Sequence, residues 1–363
     1  MSIDKKLNEM EPKDTPLLVL GYIILGMMLL LPATAVADNI INIEQAGSSL
    51  ELDITQSGSG NKIGHLNNIS LDAQITGNNK DIDFTMDGKN NQIKTWSYGD
   101  NQIIFADING DTNILSLDNH GDSNVLKYWA TGDNNTAHME IGNNNDNNNQ
   151  LDLRQFGLSH SAYVETNDDS NIFDVFQGGG QDDNFIRIVS GGDSNSIVAW
   201  QGKHSDGDTD TDEVGGHEGY WIVSGSNNVL KSYQTDTNRS GGGGPHDFAN
   251  YITGDSNTVT HTQKGKAGHT GFIEIDGDSN SSTLLQKGNG AKWADLVLTG
   301  NGHALDVIQK GTQTSTAAID LTFGTAAYDF DLTQDVGTNA VSYSITGVCY
   351  TAGGCQVSVT QSN

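Results

Sequence analysis

Glycine returns at an interval of eleven residues, at Gly77, Gly88, Gly99, Gly110, Gly121 and Gly132. Each opens a short polar cluster (GNNK, GKNN, GDNQ, GDTN, GDSN, GDNN), and asparagine stands three places on at Asn91, Asn113, Asn124 and Asn135. Such clusters are turn chemistry: Gly reaches positive φ freely, and short Asx side chains bond the neighbouring backbone. About seven residues separate one turn from the next, room for one short strand and too few for an ordinary helix.

The strand faces follow from the same spacing. Residues five, seven and nine past the glycines include Ile82/Phe84/Met86, Ile104/Ala106/Ile108, Leu126/Tyr128/Ala130 and Ala137/Met139/Ile141. The interleaved positions are mostly polar or charged (Asp83, Thr85, Lys94, Asp107, Ser116, Lys127, Glu140), the period-2 alternation of a half-buried strand. Two strands and two turns make a coil of about 22 residues, and coils stack their apolar faces into one narrow core. The expected fold is all-β, a β-solenoid of about thirteen such coils forming two parallel sheets.

Before this block, Ile41, Ile43 and Leu52/Ile54/Gln56 fit a first coil, while Ser57 to Asn68 reads as an insertion. Beyond it, inward apolar residues followed by glutamine recur, closing at Gln155, Gln177, Gln201, Gln234, Gln263, Gln286, Gln309, Gln334 and Gln361. Successive glutamines are 22 to 33 residues apart, so the excess must leave the coils at turns, above all near residues 203–217, 235–247 and 349–354. After residue 37 the chain has one proline, Pro245, placed in a glycine-rich loop where no strand loses a ladder donor.

Residues 1–37 read as a secretory signal peptide. Lys5, Lys6 and Lys13 precede the apolar run Leu17 to Leu31, and Ala35-Val36-Ala37 supplies a cleavage site before Asp38. Residues 38–363 then form a single solenoid, exported to the cell surface or beyond. The balance of 18 Lys+Arg against 46 Asp+Glu excludes nucleic acid as a partner, because no basic stripe is present to displace phosphate counterions.

The period-2 count turns each recurring glutamine inward, where an amide needs partners. In a solenoid the partner is the same amide one coil away, so Gln56 and the nine later glutamines are expected to form a stacked ladder. The turn asparagines Asn113, Asn124, Asn195, Asn257 and Asn280 are expected to form another. The unit of glycine, asparagine three later, apolar five later and glutamine nine later stands here as GDSNSIVAWQ (Gly192 to Gln201), GSNNVLKSYQ (Gly225 to Gln234), GDSNTVTHTQ (Gly254 to Gln263) and GDSNSSTLLQ (Gly277 to Gln286). Gln-x-Gly continuations follow at Gln45, Gln263, Gln286 and Gln309. In this the chain resembles the curlin repeat of bacterial curli fibre subunits, over nearly all of residues 38–363.

The resemblance implies an extracellular protein that adds end to end, as a homopolymer, into amyloid-like fibres of a biofilm matrix. It implies as partners a companion curlin-like nucleator subunit and a curli-type outer-membrane secretion channel. The chain departs from the pattern in its many coils, its long loops and the Met86, Ile108 and Ala130 that stand in the glutamine position. Major subunit, nucleator and monomeric adhesin are therefore all open.

Other candidate sites are local. Asp206, Asp208, Asp210 and Asp212, followed by Glu213, alternate like the opening of a calcium-binding EF-hand loop but lack its glycine and closing glutamate. Calcium is the one cofactor weighed, against a plain solvated charge cluster. Cys349 and Cys355, with five residues between them, read in an exported chain as a small-loop disulfide rather than half of a zinc set. Trp96, Tyr98, Phe105, Trp129 and Trp200 alternate with inward positions and should face outward, where flat aromatic faces suit polysaccharide or a neighbouring filament. Of the histidines, His261 alone is expected inward; His65, His120, His138, His160, His204, His217, His246, His269 and His303 are expected mostly at the surface. No carboxylate pair or triad stands apart from its repeat neighbours, so the chain is read as a non-enzyme.

Overall fold

The computed structural model describes residues 40–362 apart from connecting segments at 48, 59–60, 65–71, 89, 111, 122–124, 133–134, 143–149, 157–159, 167–171, 179–183, 192–195, 203–216, 226, 236–245, 255, 265–268, 279–280, 288–290, 302–303, 312–314, 324–328, 336–341 and 349–354. Among the described residues there are 28 strands, from Ile40–Asn42 to Gln356–Ser362, and no helix. They form two sheets of 15 and 13 strands, parallel throughout. Strands alternate between the sheets, so each coil adds a rung to both. The strand Gln102–Asn109 lies beside Val125–Thr131 with Ile104 against Leu126, Ala106 against Tyr128 and Ile108 against Ala130. Like positions thus meet one 22-residue coil apart, as across the turn from Asn79 to Asn101. This is the two-sheeted β-solenoid that the spacing predicts.

The turn explains why the glycine cannot vary. Gly110 has φ +151°, and a Cβ on it would sit 1.7 Å from the carbonyl oxygen of Gly88, the matching glycine one coil earlier. Two places past the glycine the chain takes the left-handed region at Asn79, Asn90, Asn101 and Asn227, which Asn tolerates better than most residues. Backbone bonding runs on through the turns, as in Gly110 N–H to the Thr131 carbonyl at 2.9 Å. The corners therefore stack as regularly as the strands.

The inward residues read from the period all lie in the core: Ile82, Phe84, Met86, Ile104, Ala106, Ile108, Leu126, Tyr128, Ala130, Ala137, Met139 and Ile141 are buried. Burying the larger of these contributes about 1.5–3 kcal/mol each, which is how so polar a chain folds.

The expected insertion at Ser57 to Asn68 is corrected. Lys62–Gly64 is a strand of the 15-stranded sheet, with Ile63 in the core, and both it and Ala73–Thr76 pair with Gln92–Tyr98. Part of the expected insertion is therefore strand, and the rung is divided in two. The preceding rung is divided at the same place into Ile40–Asn42 and Glu44–Ala46, with Ile43 donating to the Gly64 carbonyl and accepting from Gln74 N–H. These two divided rungs account for the 15 strands facing 13. Strands also resume at His217 and His246, inside two spans read as loops.

The end rungs are less covered than the rest. Tyr343, Ile345, Val357 and Val359 occupy the register of the buried Ala317, Ile319, Phe330 and Leu332. Yet Tyr343 and Val357 are each 46% exposed. Leu52 and Ile54, paired with the buried Ile82 and Phe84, are likewise half-buried at the other end.

Candidate functional site: the glutamine ladder and the corner it faces

The recurring glutamines close the strands of the 13-stranded sheet and lie one above another. Gln155, Gln177, Gln201, Gln234, Gln263, Gln286, Gln309 and Gln334 are consecutive register partners, all buried. Gln361 continues the column beside Gln334. From Gln201 onward each Nε2 donates to the Oε1 one rung earlier: Gln201 to Gln177 at 3.5 Å, Gln234 to Gln201 at 2.9 Å and Gln263 to Gln234 at 3.0 Å. Gln286 to Gln263 follows at 3.1 Å, Gln309 to Gln286 at 2.8 Å and Gln334 to Gln309 at 2.9 Å.

The same amides also reach across the corner to the 15-stranded sheet. Gln234 Nε2 meets the carbonyls of His217 and Asp247 at 3.0 and 2.9 Å, and Gln286 Nε2 that of Trp293 at 3.0 Å. The ladder therefore fastens the sheets to each other as well as rung to rung. Gln56 stands apart, separated from Gln155 by the buried Met86, Ile108 and Ala130 in the same column. There the core is apolar up to the corner.

The turn asparagines behave differently from the expected amide stack. Asn91, Asn113, Asn135, Asn228 and Asn257 each donate Nδ2 to the carbonyl of the glycine three residues back, at 2.9 to 3.3 Å. The Oδ1 of Asn135 and of Asn257 accepts a backbone N–H from the neighbouring coil, from Asn113 at 3.3 Å and from Asn228 at 3.2 Å. A side chain so short reaches backbone before it reaches its own kind. Asn113 and Asn257 also lie at different corners, one on each sheet. Asn124, Asn195, Asn280, the acidic run Asp206, Asp208, Asp210 and Asp212, and Cys349 all lie outside the described residues. Cys355 is disulfide-bonded, and Cys349 is the one other cysteine of the chain.

The histidine expectation is overturned. His160, His217, His246 and His269 are buried along with His261. His217, His246 and His269 begin consecutive strands of the 15-stranded sheet and are register partners. Their rings lie parallel at 4.9 and 5.0 Å between centroids. The column continues into the buried Lys292, whose ammonium is lowered to about 8 by burial. These histidines take the corner position held by asparagine in the regular coils. A signal was nonetheless present: His160, His217, His246 and His269 each stand 17 residues before a ladder glutamine.

Outward faces carry a second pattern. Trp200 stacks on Tyr233 at 3.9 Å, and Arg187 lies over Tyr163 and Tyr220 at 4.8 and 5.8 Å. Trp129 is 40% exposed and Tyr98 50%, as the alternation requires. Among the described residues no group of three or more His, Cys, Asp or Glu has the arrangement to hold a metal ion. Buried neutral amides in register suit cohesion between repeated units. Comparison with protein-family models, with curated proteins and with solved structures finds no match to the chain.

Proposed function

We propose that the chain is a secreted structural protein of curlin type that stacks end to end into extracellular fibres. The observation that carries this is the state of the two end rungs. Inward side chains there, Leu52 and Ile54 at one end and Tyr343, Ile345, Val357 and Val359 at the other, are left partly exposed at positions buried in every coil between. Among the described residues nothing pairs with the outer edge of either rung, and an unpaired edge templates the addition of another strand. The glutamine position recurs in the last rung, where Gln361 is the register partner of Gln334, so a second copy in register would continue the repeat. The repeat likeness adds the extracellular setting, a nucleating partner and an export channel.

Incubating the purified chain from Asp38 onward, with thioflavin T fluorescence and electron microscopy, tests the proposal. Unbranched fibres that seed fresh monomer are the expected result; a folded chain that stays monomeric removes it. In that event the outward rings, with the Trp200–Tyr233 stack and the Tyr163–Arg187–Tyr220 sandwich, favour a monomeric adhesin binding polysaccharide, and glycan-array binding is the measurement that decides. Calcium in the 203–216 segment is checked by melting with and without a chelator.

A further inference from the structure

Five bases converge on one stretch of the corner. His217, His246 and His269 form the parallel stack, Lys292 follows in the same column, and His261 approaches from the opposite sheet. His261 is wholly buried, with Nδ1 2.5 Å from Ser232 Oγ and its ring face against Phe248. His269 Nε2 donates to the Lys287 carbonyl at 2.7 Å. Among the described residues, the neutral amides of Gln234 and Gln263 also face the stack from the 13-stranded sheet and bond the carbonyls of His217 and His246. The carboxylates adjoining it in sequence, Glu218 and Asp247, are exposed on the outward side, and no described carboxylate is buried.

Geometry sets any charge added to the stack against its neighbours. Two charged rings about 5 Å apart in a buried corner repel each other strongly, and among the described residues no buried carboxylate stands by to offset them. Unfolded histidines meet no such penalty and take protons near pH 6.5.

We propose that the histidine stack is an acid-sensitive latch: the rungs from His217 to Lys292 are closed at neutral pH and open on acidification, while the asparagine-cornered rungs hold. His261 agrees in direction, its affinity for a proton held well below the ordinary value by burial first and then by His246 and His269. The sign follows. A base depressed in the fold, as His261 is, leaves the unfolded chain with more bound protons, so stability is full above about pH 6.5 and falls as pH drops through it, by up to about tenfold in the folding constant per pH unit for such a ring. The latch does not depend on the chain forming fibres.

Hydrogen exchange read by mass spectrometry on the full exported chain at pH 7.5 and 5.0, corrected for intrinsic rates, tests it. Protection in His217–Ser224, His246–Thr253 and His269–Asp278 should fall at least tenfold more than in Lys80–Asp87 and Gln102–Asn109. The H217N/H246N/H269N variant, which copies the corner of the regular coils, should lose that difference, whereas the outward His138→Asn variant should keep it. Loss spread evenly over all rungs, or an undiminished difference in the triple variant, overturns the proposal. Should the triple variant not fold at pH 7.5, His246→Asn alone, which parts the stack at its centre, must at least halve the difference on a logarithmic scale or the latch is refuted.

Discussion

A single ladder amide joins four neighbours. Gln263 donates to Gln234 Oε1 at 3.0 Å, to the His246 carbonyl at 2.6 Å and to the Thr270 carbonyl at 3.1 Å, and accepts from Gln286 at 3.1 Å. Gln263→Ala strands several of these groups away from water, and urea unfolding should register a loss of about 2–3 kcal/mol. Lys80 is the opposite case. It is 2% exposed, its Nζ has no hydrogen-bond partner, and burial lowers its ammonium to about 8. A folded value below the unfolded one means more protons bound when unfolded, so stability should rise as pH climbs from about 8 towards about 10.5. Gln102 holds the same column position one coil later, and Lys80→Gln should stabilise the chain at pH 7 by about 1–2 kcal/mol and flatten that slope.

Strands and coils were legible where glycine supplied an origin for counting. From Gly77 to Gly132 every inward residue was placed by adding five, seven and nine, because side-chain alternation is strict and the turns are of fixed length. Counting failed where residues were added. Lys62–Gly64 and Ala73–Thr76 are two halves of one rung, yet Ile69 and Leu71 between them continue an apolar alternation that reads as strand. His217, His246 and His269 read as surface residues because imidazole is at home there; the ladder that closes 17 residues later is the better origin for counting. The regular coils also stack like charges outward. Asp118, Glu140 and Glu165 are register partners, and both Asp118 and Glu140 are raised, chiefly by burial and next, among the raising influences, by neighbouring carboxylates. A carboxyl raised in the fold contributes stability below its unfolded value and loses it as pH rises through the folded one. Glu140→Gln should therefore be more stable than the parent at pH 7 by about 0.5 kcal/mol, with the gap closing at acid pH and in high salt when followed by thermal melting.

Across the whole molecule, each coil touches its neighbours and nothing beyond, so stability is a sum over rungs and the ends are where association acts. Replacing Val357 and Val359 with lysine charges the final rung without entering a filled core. The doubly substituted chain should keep its circular dichroism spectrum and melt within about 1 kcal/mol of the parent. Its fibre growth from preformed seeds should slow at least tenfold; unchanged growth would move the adhesive surface away from that end.

The glutamine amides all point one way, hydrogens toward Gln177 and oxygens toward Gln334. Parallel amides in a row sum as they do along a helix, leaving partial positive charge where the described ladder starts and partial negative charge where it stops. A rod of this kind has a head and a tail. Copies joined tail to head would continue the row of dipoles, copies joined tail to tail would set oxygen against oxygen, and a filament so built would have two chemically distinct tips that elongate at different speeds.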